Sequence, residues 1–98
     1  MSRPRLSVSI ITRDEAHRID RCLDAVSFAD EVVVLDSGSV DGTAEIARSH
    51  GARVVVDPAW PGFGPQKNRA LALCTGAWVL SVDADEVVTP RLRAAIEQ

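Results

Sequence analysis

No apolar run in this 98-residue chain approaches the ~20 residues needed to span a bilayer, so no membrane-crossing helix is expected within it. The basic start, Met1-Ser2-Arg3-Pro4-Arg5, is followed by a short apolar stretch soon broken by Thr12, Arg13, Asp14 and Glu15, and no signal peptide is expected. Cysteine is scarce: Cys22 and Cys74 sit among apolar helical positions, which fits reduced core residues in a reducing compartment better than a disulfide framework or a metal site. Basic charge is not in excess. Eleven Lys and Arg, scattered against fourteen Asp and Glu, leave a net charge of -3, which argues against a nucleic-acid partner. His17 and His50 have no carboxylate or cysteine at metal-ligand spacing and read as surface or capping residues. GxGxxG, GxxxxGK[ST] and GxSxG are all absent, which removes the usual glycine cradles for dinucleotides and phosphates and the hydrolase nucleophile elbow.

What is present is 46% hydrophobic and 26% charged residues, the balance of one small globular domain covering residues 1–98. Leu6 to Thr12 is β-branched and nearly alternating, a first strand. From Asp14 the apolar residues Ile19, Cys22, Leu23 and Val26 draw one helical stripe to about Ser27, with a charged opposite face. Glu31 to Leu35 is apolar without alternation, as in a parallel strand covered on both faces. A turn-rich stretch, Asp36 to Thr43, leads to a short helix from Ala44 to His50 closed by Gly51, and then to a strand from Arg53 to Val56. Asp57 to Pro65, with three prolines and two glycines, is expected to be an irregular loop anchored by burial of Trp60 and Phe63. A helix from Gln66 to Cys74, stopped near Gly76, a strand from Ala77 to Val82 and a last helix from Arg91 to Glu97 behind Pro90 complete the reading.

This alternation predicts an α/β fold, an open parallel sheet with right-handed crossovers. Such sheets bind ligands outside the carboxyl ends of their strands. The polar clusters Thr12 to Glu15, Asp36 to Asp41 and Asp83 to Glu86 all fall at that edge, whereas the opposite edge offers mainly Ala29, Asp30, Gly51, Ala52 and Thr75. One site at one edge follows from the asymmetry.

Within it, Asp83-Ala84-Asp85 ends an apolar strand. If the backbone stays extended, the two carboxylates point the same way and suit a hard divalent ion, Mg²⁺ or Mn²⁺, that shares its coordination with substrate phosphates. A solvated acidic turn is the bland alternative. Asp36 ends a buried strand, where a carboxylate needs a donor; a nucleobase or ribose could supply one, and so could the backbone of the Ser37-Gly38-Ser39 turn, the simpler reading. Asp41 reads as a cap for Thr43 and Ala44, and Thr12 as a strand-end hydroxyl. Lys67 and Arg69 flank Asn68 where a cation could meet a phosphate or a base carbonyl, or merely solvent.

Leu6 to Glu15 (LSVSIITRDE), Glu31 to Thr43 (EVVVLDSGSVDGT), Gly62 to Leu71 (GFGPQKNRAL) and Gly76 to Thr89 (GAWVLSVDADEVVT) together resemble the N-terminal half of family 2 glycosyltransferases, and among these the bacterial enzymes that add glucose or a related sugar to the lipopolysaccharide core. The resemblance covers nearly the whole chain in order. It implies the Rossmann-like, nucleotide-binding half of a GT-A fold, with strand order 3-2-1-4, in an inverting enzyme that uses a UDP-sugar donor with Mg²⁺ or Mn²⁺. Carried onto this sequence, it implies that Thr12, Glu15, Asp36, Ser37, Lys67 and Asp83 bind the nucleotide-sugar, Asp36 through the base, and that Asp85, with Asp83, holds the metal. Lys67 stands where many members have Arg, which keeps the charge but not the planar fork. Glu86 is at best a neighbour of the ligands. The family's catalytic base and acceptor-binding motifs lie past the Asp-X-Asp, so the 98 residues alone are expected to bind donor and metal without transferring sugar. The implied acceptor is a glycan or lipid-linked glycan of the cell envelope, and the implied location is the cytoplasm, with the parent protein peripheral at the inner membrane. The last strand would be left at a sheet edge, where self-association is expected.

Two other readings compete. Val34-Leu35-Asp36 and Asp41-Gly42-Thr43 echo the haloacid-dehalogenase phosphohydrolases, but the spacing from Asp36 to Asp41 is too long for a nucleophile and its acid partner on one turn. A receiver-like signalling module would need an acidic pair after the first strand, where this chain has Arg13-Asp14-Glu15.

Overall fold

In the computed structural model, which describes residues 5–86 and 88–97, the β-branched segment Leu6–Thr12 forms the strand β1 at the centre of a four-stranded sheet. The basic start expected not to be a leader lies, in residues 1–4, outside the described residues. The chain runs β1, α1 (Ala16–Ala25), β2 (Glu31–Asp36), α2 (Thr43–Ser49), β3 (Arg53–Val56), α3 (Phe63–Leu73), β4 (Trp78–Ser81) and α4 (Pro90–Glu97). All pairings are parallel, and the order is β3-β2-β1-β4, as the resemblance implied.

Register brings Ile10 beside Val34 and Thr12 beside Asp36, so these side chains share one face. Val8, Ile10 and Val34 on that face pack against Ile19, Cys22, Leu23 and Val26 from α1 and its end, Ala47 of α2, and Val82, Ala84 and Val88 after β4. Each fully buried Val or Ile of this kind contributes ~1.5–3 kcal/mol over exposure. The chain moves outward through β2 and β3 and then crosses back past β1 to β4, so a right-handed crossover places α3 on the opposite face, against β1 and β2. The reversal makes the ends of β1 and β4 the switch point of the sheet.

Two helix starts differ from expectation by two residues or more, each for a local reason. Helix α1 starts at Ala16 because Asp14 has φ +52, with its N–H held by Ser39 Oγ at 2.7 Å. Helix α3 starts at Phe63, three residues before the expected Gln66: Pro65 lies in its first turn, where no backbone donor is needed, and Gln66 N–H closes that turn on the Gly62 carbonyl at 3.0 Å. The aromatic anchors are not buried. Trp60 is 45% and Phe63 57% exposed, packed edge-to-face on each other with centroids 6.3 Å apart.

Gly76 does not stop α3, which ends at Leu73; it permits a close approach. A Cβ there would lie 2.5 Å from Ser7 Oγ and 2.8 Å from Ser7 N. Ser7 Oγ instead accepts the Gly76 N–H at 2.9 Å and donates to Glu31 at 2.7 Å, and the Thr75 N–H, with the Ser7 and Thr75 hydroxyls, holds the Glu31 carboxyl below its ordinary range. Gly76→Ala is therefore expected to destabilise the chain by ~1–3 kcal/mol in denaturant unfolding. Gly64→Ala, whose added Cβ would crowd only its chain neighbour Pro65, should cost less, under ~1 kcal/mol; equal effects at the two positions would contradict the packing.

Candidate functional site

The site grows from two loops stitched together at the carboxyl ends of β1 and β2. Asp36, 1% exposed, accepts the Thr12 hydroxyl at 2.7 Å and the Ser39 hydroxyl at 2.5 Å on Oδ1, and the Gly38 and Ser39 N–H groups at 3.1 and 2.8 Å on Oδ2. All four acceptor positions of the carboxylate are filled, which is how a buried charge becomes tolerable here. Gly38 has φ +92, the conformation that turns its N–H back onto Asp36. Ser37 donates its hydroxyl to the Thr12 carbonyl at 3.1 Å. Asp14 Oδ1 accepts the Val40 N–H at 2.8 Å, Thr43 Oγ1 accepts the Glu15 N–H at 2.9 Å, and Asp41 Oδ2 accepts the Ala16 N–H at 3.1 Å. Asp41 also holds the N–H and hydroxyl of Thr43, which keep its carboxyl below the ordinary range. It caps Thr43 as expected, but its second partner is Ala16 at the start of α1 and not Ala44.

The ends of β4 and α3 bring the charged residues. Strand β4 stops at Ser81, and Asp83 to Glu86 then closes as a turn, with the Glu86 N–H on the Asp83 carbonyl at 2.9 Å and the Asp83 N–H on Glu86 Oε1 at 2.7 Å. The backbone is not extended through Asp-Ala-Asp, and the expectation that both carboxylates point one way is corrected. Ala84 between them is buried in the core, and the carboxylates take separate partners. Asp83 Oδ1 lies 3.0 Å from Lys67 Nζ of α3; Asp85 Oδ2 lies 3.9 Å from Arg18 Nη1 of α1, whose Nε is 2.8 Å from Glu15 Oε2. Lys67 also stands 4.8 Å from the Phe63 ring centroid, which supports the ammonium from beneath. The Cys22 thiol meets the Asp83 carbonyl at 3.6 Å. Burial, reinforced by Glu86, Asp85 and Asp83, pushes this thiol up to about 11, so it stays protonated and donates.

The sequence candidates thus divide into two sets. Thr12, Asp36 and Ser37 form a buried frame with their polar groups committed to one another. Glu15, Lys67, Asp83 and Asp85 gather at the switch point of the sheet beside the starts of α1 and α3, where helix dipoles favour anions. Arg18 belongs to this second set and was missed; its signal was the i, i+3 spacing from Glu15 in the first turn of α1. Also missed was the brace of Arg69, which binds Asp57 and donates to Gln66 Oε1 at 2.9 Å, fixing the start of α3 behind Lys67. His50, read as a surface or capping residue, follows α2 and ties it to α1 through Asp20 at 2.7 Å.

Among the described residues no three His, Cys, Asp or Glu form a ready metal cage. The donor set still fits a hard cation. Asp83 Oδ1 is shielded from solvent and has the Lys67 ammonium at 3.0 Å as its partner, a place for positive charge, and two carboxylates plus substrate phosphate oxygens are the usual complement for Mg²⁺ or Mn²⁺. The phosphohydrolase and receiver readings fail on the same geometry, because the four donors on Asp36 leave no free oxygen to attack or receive a phosphoryl group.

Comparison with known proteins gives the family. Residues 7–98 match the model of glycosyl transferase family 2, and the chain belongs to that family. It is 47% identical over 94 residues to a glycosyltransferase of Rickettsia bellii, covering 95% of this chain and 32% of the relative. It is 34% identical over 102 residues to the lipopolysaccharide core biosynthesis glycosyltransferase LpsC of Rhizobium meliloti, covering 95% and 36%. Among solved structures, the mannosyltransferase PcManGT of Pyrobaculum calidifontis, in complex with GDP-Man and Mn²⁺, superposes with a TM-score of 0.79 at 32% identity over 97% of this chain and 31% of that one. Glucosyl-3-phosphoglycerate synthase of Mycobacterium tuberculosis, in complex with Mn²⁺, UDP and glucosyl-3-phosphoglycerate, gives 0.71 at 34% identity over 83% and 33%. The chain spans about a third of the length of these curated relatives.

Proposed function

We propose that these residues bind the donor of an inverting glycosyltransferase, a UDP-sugar, together with Mg²⁺ or Mn²⁺. The observation that carries the reading is the gathering of Glu15, Arg18, Lys67, Asp83 and Asp85, linked by ion pairs, at the switch point of a parallel sheet. Support also comes from the solved neighbours, whose complexes hold Mn²⁺ with UDP or with GDP-Man. Asp83 and Asp85 would hold the cation, which when bound supplies charge neutralisation for the departing diphosphate. Lys67 adds a second positive charge at the same place, on a helix start braced by Arg69. The stitched frame of Thr12, Asp36 and Ser37 gives the nucleoside a rigid wall, and direct base recognition by Asp36 would require one of its present donors, the Ser39 or Thr12 hydroxyl, to rotate away.

The donor sugar is read as glucose or a relative and the acceptor as a lipopolysaccharide or other envelope glycan, with LpsC as the supporting relative. Acceptor binding and the base that deprotonates the acceptor hydroxyl are assigned to further residues of a longer protein, working in the cytoplasm at the inner membrane. Robust sugar transfer by the 98 residues alone would overturn that division. Calorimetric titration with UDP, UDP-glucose and GDP, with and without Mn²⁺, tests the donor reading. Uridine nucleotides should bind with Mn²⁺-dependent affinity, and Asp85→Ala should abolish the dependence; metal-independent binding unaffected by that change would refute the site.

Self-association through β4 is part of the same reading. Trp78 is 71% and Val79 39% exposed on this edge strand, beside a groove of about 520 Å³ lined by Leu6, Phe28, Leu80 and Ile96. A second copy adding its own β4 would pair the free edge. Sedimentation should show mass rising with concentration and falling back for Trp78→Lys; a monomer at every concentration would count against it.

A further inference from the structure

Each carboxylate of the Asp83–Asp85 turn already has a positive partner of its own. Lys67 reaches Asp83 from α3 at 3.0 Å, and Arg18 reaches Asp85 from α1 at 3.9 Å while holding Glu15 at 2.8 Å. The helices lie on opposite faces of the sheet, so the two cations flank the turn. Asp83 Oδ1 and Glu15 Oε2 are both shielded from solvent and accept no aligned hydrogen bond. A carboxylate oxygen in that position is costly unless a charge compensates it, and here the compensation is the ammonium and the guanidinium. The oxygen a divalent cation would take is therefore the oxygen Lys67 now holds.

We propose that Lys67 and Arg18 are resident counter-cations: in the free chain they neutralise Asp83 and Asp85, and on donor binding they move to the diphosphate oxygens, leaving the carboxylates to the metal. This rests on the donor-binding reading and adds Arg18 to it as a phosphate-contacting residue. The chemistry suits each side chain. The guanidinium of Arg18 presents a planar fork to two phosphate oxygens, and the four-carbon stem of Lys67 lets its ammonium swing while the Phe63 ring keeps it near. Metal and nucleotide then bind as a coupled pair, each removing the other's obstacle.

The test has two arms whose signs oppose. With EDTA present, calorimetry should show Lys67→Met and Arg18→Met binding UDP about tenfold or more weakly than the parent chain, as expected for a lost charged contact. Without nucleotide, Mn²⁺ binding followed by the electron paramagnetic resonance of free Mn²⁺ should be about threefold tighter in the same variants, because a competing cation is gone. Damage to the fold would weaken both. If a Met variant does not fold, Lys67→Gln and Arg18→Gln carry the test. Variants that bind UDP normally, or bind Mn²⁺ no tighter than the parent, overturn the proposal while leaving the donor reading intact; a parent chain that binds no UDP with or without Mn²⁺ overturns both.

Discussion

The buried carboxylate of Asp36 is the constraint on which the site depends. A strand end at the edge of a parallel sheet leaves backbone donors and acceptors without partners, and two such ends side by side would normally be loose. Asp36 removes that freedom by collecting four donors from Thr12, Gly38 and Ser39, so the loop after β2 folds back on the end of β1. Asp14, Asp41 and Thr43 then tie the two loops together a second time. The result sets where α1 begins and hence where Arg18 stands. A charge placed in the interior is expensive alone and structural once every lone pair is used.

Against this fixed wall the second half of the site is built differently. Asp83, Asp85, Lys67 and Arg18 are partly exposed and joined in ion pairs, with the Phe63 ring beneath the Lys67 ammonium and the His17 Nε2 accepting from Arg18 Nε at 2.9 Å. Ala84 and the Cys22 thiol anchor the backbone of the acidic turn, while its carboxylates can exchange partners. A rigid wall facing exchangeable charges is an arrangement suited to a ligand that brings both a flat ring and a highly charged diphosphate.

Much of this was legible in the sequence because it rests on periodicity and turn chemistry. The apolar stripe of Ile19, Cys22, Leu23 and Val26, the non-alternating Val32 to Leu35 and the limits of Leu6–Thr12 and Arg53–Val56 are local signals, and the structure carries them. The family was legible through resemblance. What was not legible depends on contacts distant in sequence. The splaying of Asp83 from Asp85 follows from a turn closed by the Glu86 side chain, and Arg18 meets Asp85 only once α1 and β4 are assembled. Phe63-Gly64-Pro65 reads as loop by composition, yet its proline lies in the one helical turn that tolerates it. Trp60 and Phe63 are expected inside because aromatics usually bury; they are exposed instead, Trp60 packed on Phe63 and Phe63 beneath Lys67.

Donor binding as proposed requires a single ligand site at the carboxyl edge of the sheet, between the stitched loops and the acidic turn. Backbone amide shifts of the isotopically labelled chain on addition of UDP and Mg²⁺ test it most directly. The largest changes should fall on residues 13–18, 36–40, 66–68 and 83–86, with residues 29–31, 51–53 and 75–77 at the other edge unmoved. Changes concentrated at that other edge, or spread evenly over both, would contradict it.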